Sequence, residues 1–217
     1  MSRNKDDIKA GYSAGSILYW TVGTLLILTL LSAWFVSGLF AKYVISAEFS
    51  NSARVGKNGT VILELNEHLA KESYPDSGIY ELDKSVKPVT KNEYKKVLPG
   101  VDIPKDPYVS LELKNTEVNY VLYLYVTKSS PFPEGVTYDL TDEWNFVRSE
   151  KGSDIFQYVD ENGDPVVFKS GTSISLTGSK VIPILKGNEL KVSEHYEGNN
   201  KEFSLTFLAS LVQDKTN

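Results

Sequence analysis

The chain of 217 residues contains no cysteine, a single methionine and two histidines. Without thiols it can form neither a disulfide framework nor a cysteine metal site, although the lack of cysteine does not argue against export from a bacterium. A zinc protease helix requires His-Glu-x-x-His. The two histidines, His68 and His195, are far apart among polar residues, and we expect both to lie on the surface.

The part of the chain after residue 41 also lacks the common motifs of catalysis. It contains neither a Gly-x-Ser-x-Gly turn nor a glycine-rich phosphate loop. We therefore predict no enzyme activity, no catalytic or metal-binding residue and no cofactor.

Positive charge is scarce as well. The first 41 residues contain three basic and two acidic residues, so the rest keeps 23 − 3 = 20 basic and 28 − 2 = 26 acidic residues, a net charge of −6. An acidic domain without a dense basic cluster is not typical of nucleic-acid binding, and we expect no nucleic acid as partner.

One long apolar segment is present near the start. No charge occurs from Ala10 to Ala41, and Ile17 to Val36 is almost entirely apolar. About 20 such residues suffice to cross a membrane as a helix. A permanent anchor and an export signal, with basic residues before it and small residues near its end, both fit this segment. In either case we expect the rest of the chain to be exported to the cell surface or the extracellular space.

Strand patterns begin directly after this segment. Residues 42–50 alternate between two faces, which is typical of a half-buried strand. One face of this predicted strand comprises Tyr43, Ile45, Ala47 and Phe49. Short alternating runs separated by turn residues continue to the end, and residues 120–126 are apolar on both faces, as in a central strand.

These patterns predict one all-β domain over residues 42–217, preceded by a signal peptide or membrane anchor at 1–41. We expect a β-sandwich with a jelly-roll arrangement. Residues 66–97 are irregular and interrupt the strand pattern, so we interpret them as an insertion with one or two short edge strands.

The segment from Asp160 to Pro165 predicts a hairpin turn, because it contains Asn162-Gly163 between two alternating runs. It also resembles a calcium loop, with oxygen ligands at Asp160, Asn162 and Asp164. However, Pro165 replaces the glycine that such a loop needs at its sixth position, and no glutamate follows at its twelfth. The turn is the favoured interpretation.

Several segments resemble TasA- and camelysin-like secreted proteins of Gram-positive bacteria. They are Gly38-Leu39-Phe40-Ala41-Lys42-Tyr43, Ser52-Ala53-Arg54-Val55, Leu98-Pro99-Gly100, Asp106-Pro107 and a last strand that ends in Gln213. The resemblance covers most of the chain, but the insertion at 66–97 has no obvious counterpart in it. The resemblance implies cleavage by a SipW-type signal peptidase between Ala41 and Lys42. It also implies a jelly-roll subunit of biofilm-matrix fibres, in which the N-terminal strand of one copy completes the sheet of the next.

Three functions remain open from the sequence. The first is a secreted fibre subunit that assembles head to tail, with an accessory matrix or anchoring protein as a further partner. The second is a membrane-tethered β module for adhesion or ligand binding. The third and weakest is a camelysin-like metalloprotease.

Overall fold

The computed structural model describes residues 44–47, 51–55, 59–197 and 202–214, with the first two ranges described for their backbone alone. These residues form strands and two short 3₁₀ turns, Gly178–Lys180 and Lys186–Asn188, without an α-helix among them. The strands are β1 Val44–Ala47, β2 Asn51–Val55, β3 Gly59–Asn66, β4 Leu69–Glu72, β5 Tyr80–Asp83, β6 Ile103–Pro104, β7 Tyr108–Lys114, β8 Tyr120–Lys128, β9 Val136–Thr137, β10 Trp144–Glu150, β11 Ser153–Tyr158, β12 Val167–Phe168, β13 Ile174–Leu176, β14 Ile182–Pro183, β15 Glu189–Val192 and β16 Leu205–Gln213. The all-β class predicted from the sequence is confirmed.

The two largest sheets contain most of these strands. The first has the order β1-β16-β8-β11-β10, and β12 pairs with β8 beside β11. The second has the order β13-β7-β3-β2, and β14 pairs with β7 beside β13. Smaller groups are β6-β15-β9 and the hairpin of β4 and β5. Every pairing between these strands is antiparallel, so each strand can bury one face and leave the other near solvent.

The inner faces of the two sheets share one hydrophobic core. Alternation along the strands explains which side chains enter it, since every second residue points the same way. In the second sheet these residues are Val61, Leu63, Leu65, Val109, Leu111 and Leu113. In the first sheet they are Tyr120, Leu122, Leu124, Val126, Phe207, Ala209 and Leu211.

Strand β8 is the central strand of the first sheet, as predicted. It pairs along its length with β16 on one side and with β11 and β12 on the other. Leu122 and Leu124 are fully buried, whereas Tyr123 and Tyr125, which alternate with them, are half-buried on the outer face. We expected both faces of this strand to be covered. The inner face is fully buried, whereas the outer face is covered only in part.

The irregular segment 66–97 contains two short strands, β4 and β5. They pair with each other and extend neither of the two large sheets. The prediction of one or two short edge strands is confirmed, since each strand of this two-stranded sheet is an edge strand. They pair with each other because the polar loop from Ser73 to Ile79 closes the hairpin, in which the Ser73 N–H donates to the Ile79 carbonyl at 2.9 Å.

The residues from Asp160 to Pro165 form a turn, as predicted. The Asp160 carboxylate accepts hydrogen bonds from the backbone N–H groups of Asn162 and Asp164 at 2.9 and 3.0 Å. Both bonds lower the pKa of Asp160, and the bond from Asp164 has the larger effect. The carboxylate that would begin a calcium loop is therefore engaged in fixing the turn.

Contacts group Tyr43 to Asn217 into one unit. The apolar run at 10–41 and the cleavage residues Ala41 and Lys42 lie outside the described residues. Within the part that the structure describes, no helix is long and apolar enough to span a membrane.

Candidate functional site

The predicted assembly strand lies at an edge of the first sheet. Its described part, β1, pairs with β16 through Val44 and Val212, Ile45 and Leu211, Ser46 and Ser210, and Ala47 and Ala209. Ile45 and Ala47 are thus registered opposite Leu211 and Ala209, which are both fully buried. Of the four residues proposed for the assembly face, Tyr43 and Phe49 lie outside the described residues.

Strand β16 is the partner that any replacement for β1 would have to pair with. It is nine residues long, and all nine form register pairs with β8 on its other side. Its attachment to the sheet therefore does not depend on β1. β1 pairs with only four of these residues, from Ala209 to Val212, so its removal would expose a short row of backbone groups on a strand that is still held in place.

The opposite edge of the same sheet, β10, has a different character. Its pairing with β11 shifts between Phe146 and Arg148, which marks a β-bulge. Beyond Trp144 every residue of β10 is exposed, and Arg148 and Glu150 form a surface ion pair at 3.2 Å. Bulges and charged residues are features by which natural sheets prevent a further strand from adding to an edge. The two edges of this sheet are thus unequal.

A second notable group is a buried polar cluster that the sequence analysis did not predict. The Lys105 ammonium donates to the Glu67 carboxylate at 2.7 Å, and both residues are buried. Beside this pair, the Nδ1 atom of His68 lies 2.6 Å from an oxygen of buried Asp106, whose other oxygen accepts the His68 backbone N–H at 3.0 Å. The cluster joins the end of β3 to the segment that leads into β7.

The cluster corrects the expectation for His68, whose side chain is only 24% exposed and has Asp106 as partner. His195 is exposed, as expected. It lines an open depression of about 740 Å³ together with Phe132, Phe203 and Glu134. Among the described residues, no three His, Asp or Glu side chains lie close enough together to hold a metal ion.

Tyr94 and Asn92 connect the insertion to this cluster. The Tyr94 hydroxyl donates to the Pro104 carbonyl at 2.7 Å. Burial is the main cause that raises the pKa of this phenol, and the negative charge of Glu67 raises it further. The Asn92 side chain accepts the Ala70 N–H and donates to the His68 carbonyl, both at 2.7 Å. The irregular segment after β5 is therefore tied to the body by specific hydrogen bonds.

Comparison with protein-family models, with curated proteins and with solved structures finds no match.

Proposed function

We propose that this protein is an exported structural subunit that forms fibres head to tail by donating its N-terminal strand to the next copy. The observation that carries the proposal is the pairing of β1. This strand lies at the sheet edge and is joined to the domain at its C-terminal end. It pairs with only four residues of β16, and β16 is paired along its whole length with β8 on its other side. The jelly-roll arrangement implied by the resemblance belongs to the same proposal.

The proposed exchange keeps the same contacts but makes them between copies. When β1 leaves, the residues from Ala209 to Val212 present unpaired backbone groups and an opening beside the core. The β1 strand of a second copy satisfies the same groups in the same register. Because donor and acceptor are different surfaces, the contact does not close on itself and the product is a filament.

The unequal edges of the sheet support this polarity. Growth by edge-to-edge pairing at β10 is disfavoured by its bulge and its charged residues. The β16 edge is continuous in register over the four pairs with β1. Addition of a strand is therefore expected at one edge of this sheet.

The strand donation is tested by two variants. Deletion of residues 42–49 should leave a soluble domain that forms no fibres, because the donor is lost while the acceptor remains. Ile45→Pro should act in the same way, since proline removes a donor from the ladder. Ile45→Val is the matched control, because it retains ladder pairing. Electron microscopy and sedimentation measure the outcome.

The deletion variant offers a second measurement. Mixed with the parent protein, it should shorten the fibres, because it occupies growing ends without offering a donor strand. If the deletion unfolds the domain, the strand is an intrinsic part of its own sheet. Normal fibres from both variants would refute strand donation.

A separate prediction concerns release of the subunit. We expect the mature protein to begin at or near Lys42, because donation requires a free end before β1. Mass spectrometry of cell-associated and released protein measures this N-terminus directly. An intact leader on most of the protein would instead favour the tethered adhesion or ligand-binding module.

A further inference from the structure

The register between β1 and β16 determines which residue of an acceptor faces the free end of the donated strand. Val44 is opposite Val212, and the two strands are antiparallel. Each further position before β1 therefore corresponds to one further position along β16 and beyond it. Continued by two positions, the register places Lys42 opposite Asp214. Lys42 lies outside the described residues, so its position follows from the register alone.

Asp214 directly follows β16, and its backbone is held by the sheet. Its N–H donates to the Asn119 carbonyl at 2.9 Å. This bond continues the pairing of β16 with β8, which reaches Gln213 and Tyr120. The residue is half-buried. The Asp214 side chain thus starts from a backbone position that depends on β8 and not on β1.

The register also assigns both residues to one face of the sheet. Every second side chain of a strand lies on the same face, so Lys42 goes with Val44, and Asp214 goes with Val212. Leu211, which precedes Val212, is fully buried in the core, so this is the outer face. Directly opposed residues of an antiparallel pair bring their side chains together on one face.

Cleavage between Ala41 and Lys42 would create positive charge at this position. In the precursor the backbone nitrogen of Lys42 belongs to a neutral peptide bond. In the released chain the same nitrogen is an α-amino group, which is mostly protonated at pH 7. The new first residue then has two positive charges, one on its backbone nitrogen and one on its side chain. Opposite charges on directly opposed residues stabilise an antiparallel pair, and like charges destabilise it.

From these observations we propose that Asp214 of the acceptor copy binds Lys42, the charged first residue of the strand that the next copy donates. The inference rests on the proposed function, because it concerns the same strand and the same acceptor. It adds a link between processing and assembly, since a strand that is still joined to residue 41 lacks the α-ammonium group. It also favours one register, because a slip by two residues would place Val44 opposite the carboxylate.

The test uses mature protein released into the medium by cells that express each variant, once mass spectrometry establishes that it begins at residue 42. Asp214→Asn removes the charge and keeps the size of the side chain, and Asp214→Lys reverses the charge. Glu202→Gln is the matched control, since Glu202 is exposed just before the other end of β16 and its substitution removes the same charge. Circular dichroism establishes that each variant remains folded.

Sedimentation measures the concentration of protein that stays unassembled beside the fibres. At low salt, Asp214→Asn should raise this concentration about threefold and Asp214→Lys about tenfold, whereas Glu202→Gln should leave it unchanged. The double variant Lys42→Glu/Asp214→Lys should return to within about twofold of the parent, because opposite charges face each other again. The effect of Asp214→Asn should shrink in about 0.5 M salt, which screens exposed charges.

Three results would overturn the inference: assembly of both Asp214 variants like the parent, an equal effect of Glu202→Gln, or no recovery in the double variant. So would a mature chain that begins at another residue. Each of these results leaves strand donation itself standing, because the deletion of residues 42–49 and Ile45→Pro test it separately. A parent protein that forms no fibres would refute strand donation as well.

Discussion

Truncation of Leu122 or Leu124 to alanine should lower the free energy of unfolding by about 2–5 kcal/mol in each case. Both side chains are fully buried between the two sheets on the central strand β8. Removing three side-chain carbons there loses transfer free energy and leaves a cavity that paired strands on both sides cannot close. Because domains of this size have only about 5–15 kcal/mol of stability, soluble yield should fall visibly.

Val147→Ala is the control for this measurement. Val147 is 42% exposed and is the bulged residue of β10, so its truncation should change stability by less than about 0.5 kcal/mol. Urea unfolding followed by circular dichroism compares the variants. If the Leu122 and Leu124 variants unfold like the parent, β8 is not the central strand of the protein in solution.

The sequence predicts these core strands well because most of them alternate. In β3 the buried residues Val61, Leu63 and Leu65 are separated by half-buried ones. In β16 the buried apolar residues Phe207, Ala209 and Leu211 have the same spacing, although Ser210 between them is buried as well. A period of two is characteristic of a strand with one buried face. The continuous apolar run of β8 likewise predicts a strand with neighbours on both sides.

Two of the shortest strands cannot be predicted in this way. β6 and β14 contain two residues each, and both include a proline, Pro104 and Pro183. Proline normally argues against a strand, because it lacks an N–H group. Two residues are also too few to show a period. Their pairing depends on the neighbouring strands β15 and β7.

The buried polar cluster also cannot be predicted from local patterns in the sequence. Glu67 and Lys105 are separated by 38 positions, as are His68 and Asp106. Each residue is unremarkable among charged neighbours, and only the approach of β3 to the segment before β7 makes them partners. The antiparallel register that pairs Asn66 with Tyr108, continued by two positions, brings His68 opposite Asp106. That register is not visible in the sequence.

The buried ion pair of Glu67 and Lys105 leads to a prediction of similar size for Lys105→Met. Glu67 is only 3% exposed, and this substitution removes the cation that pairs with its carboxylate. We therefore expect a loss of about 3–5 kcal/mol in the free energy of unfolding. The double variant Glu67→Leu/Lys105→Met should recover most of this loss, because no uncompensated charge then remains in the interior. Urea unfolding of the parent, both single variants and the double variant yields the coupling energy.

The ion pair of Lys91 and Glu93 is the control for this cycle. Its N–O distance is also 2.7 Å, but its side chains are 69% and 76% exposed. Water solvates either charge when its partner is removed, so Lys91→Met should leave the unfolding transition unchanged. An equally small effect of Lys105→Met would mean that water reaches Glu67 in solution. In that case the cluster would not hold the irregular segment after β5 against the rest of the domain. A large effect, with recovery in the double variant, ties the stability of the insertion to the buried pair beneath it.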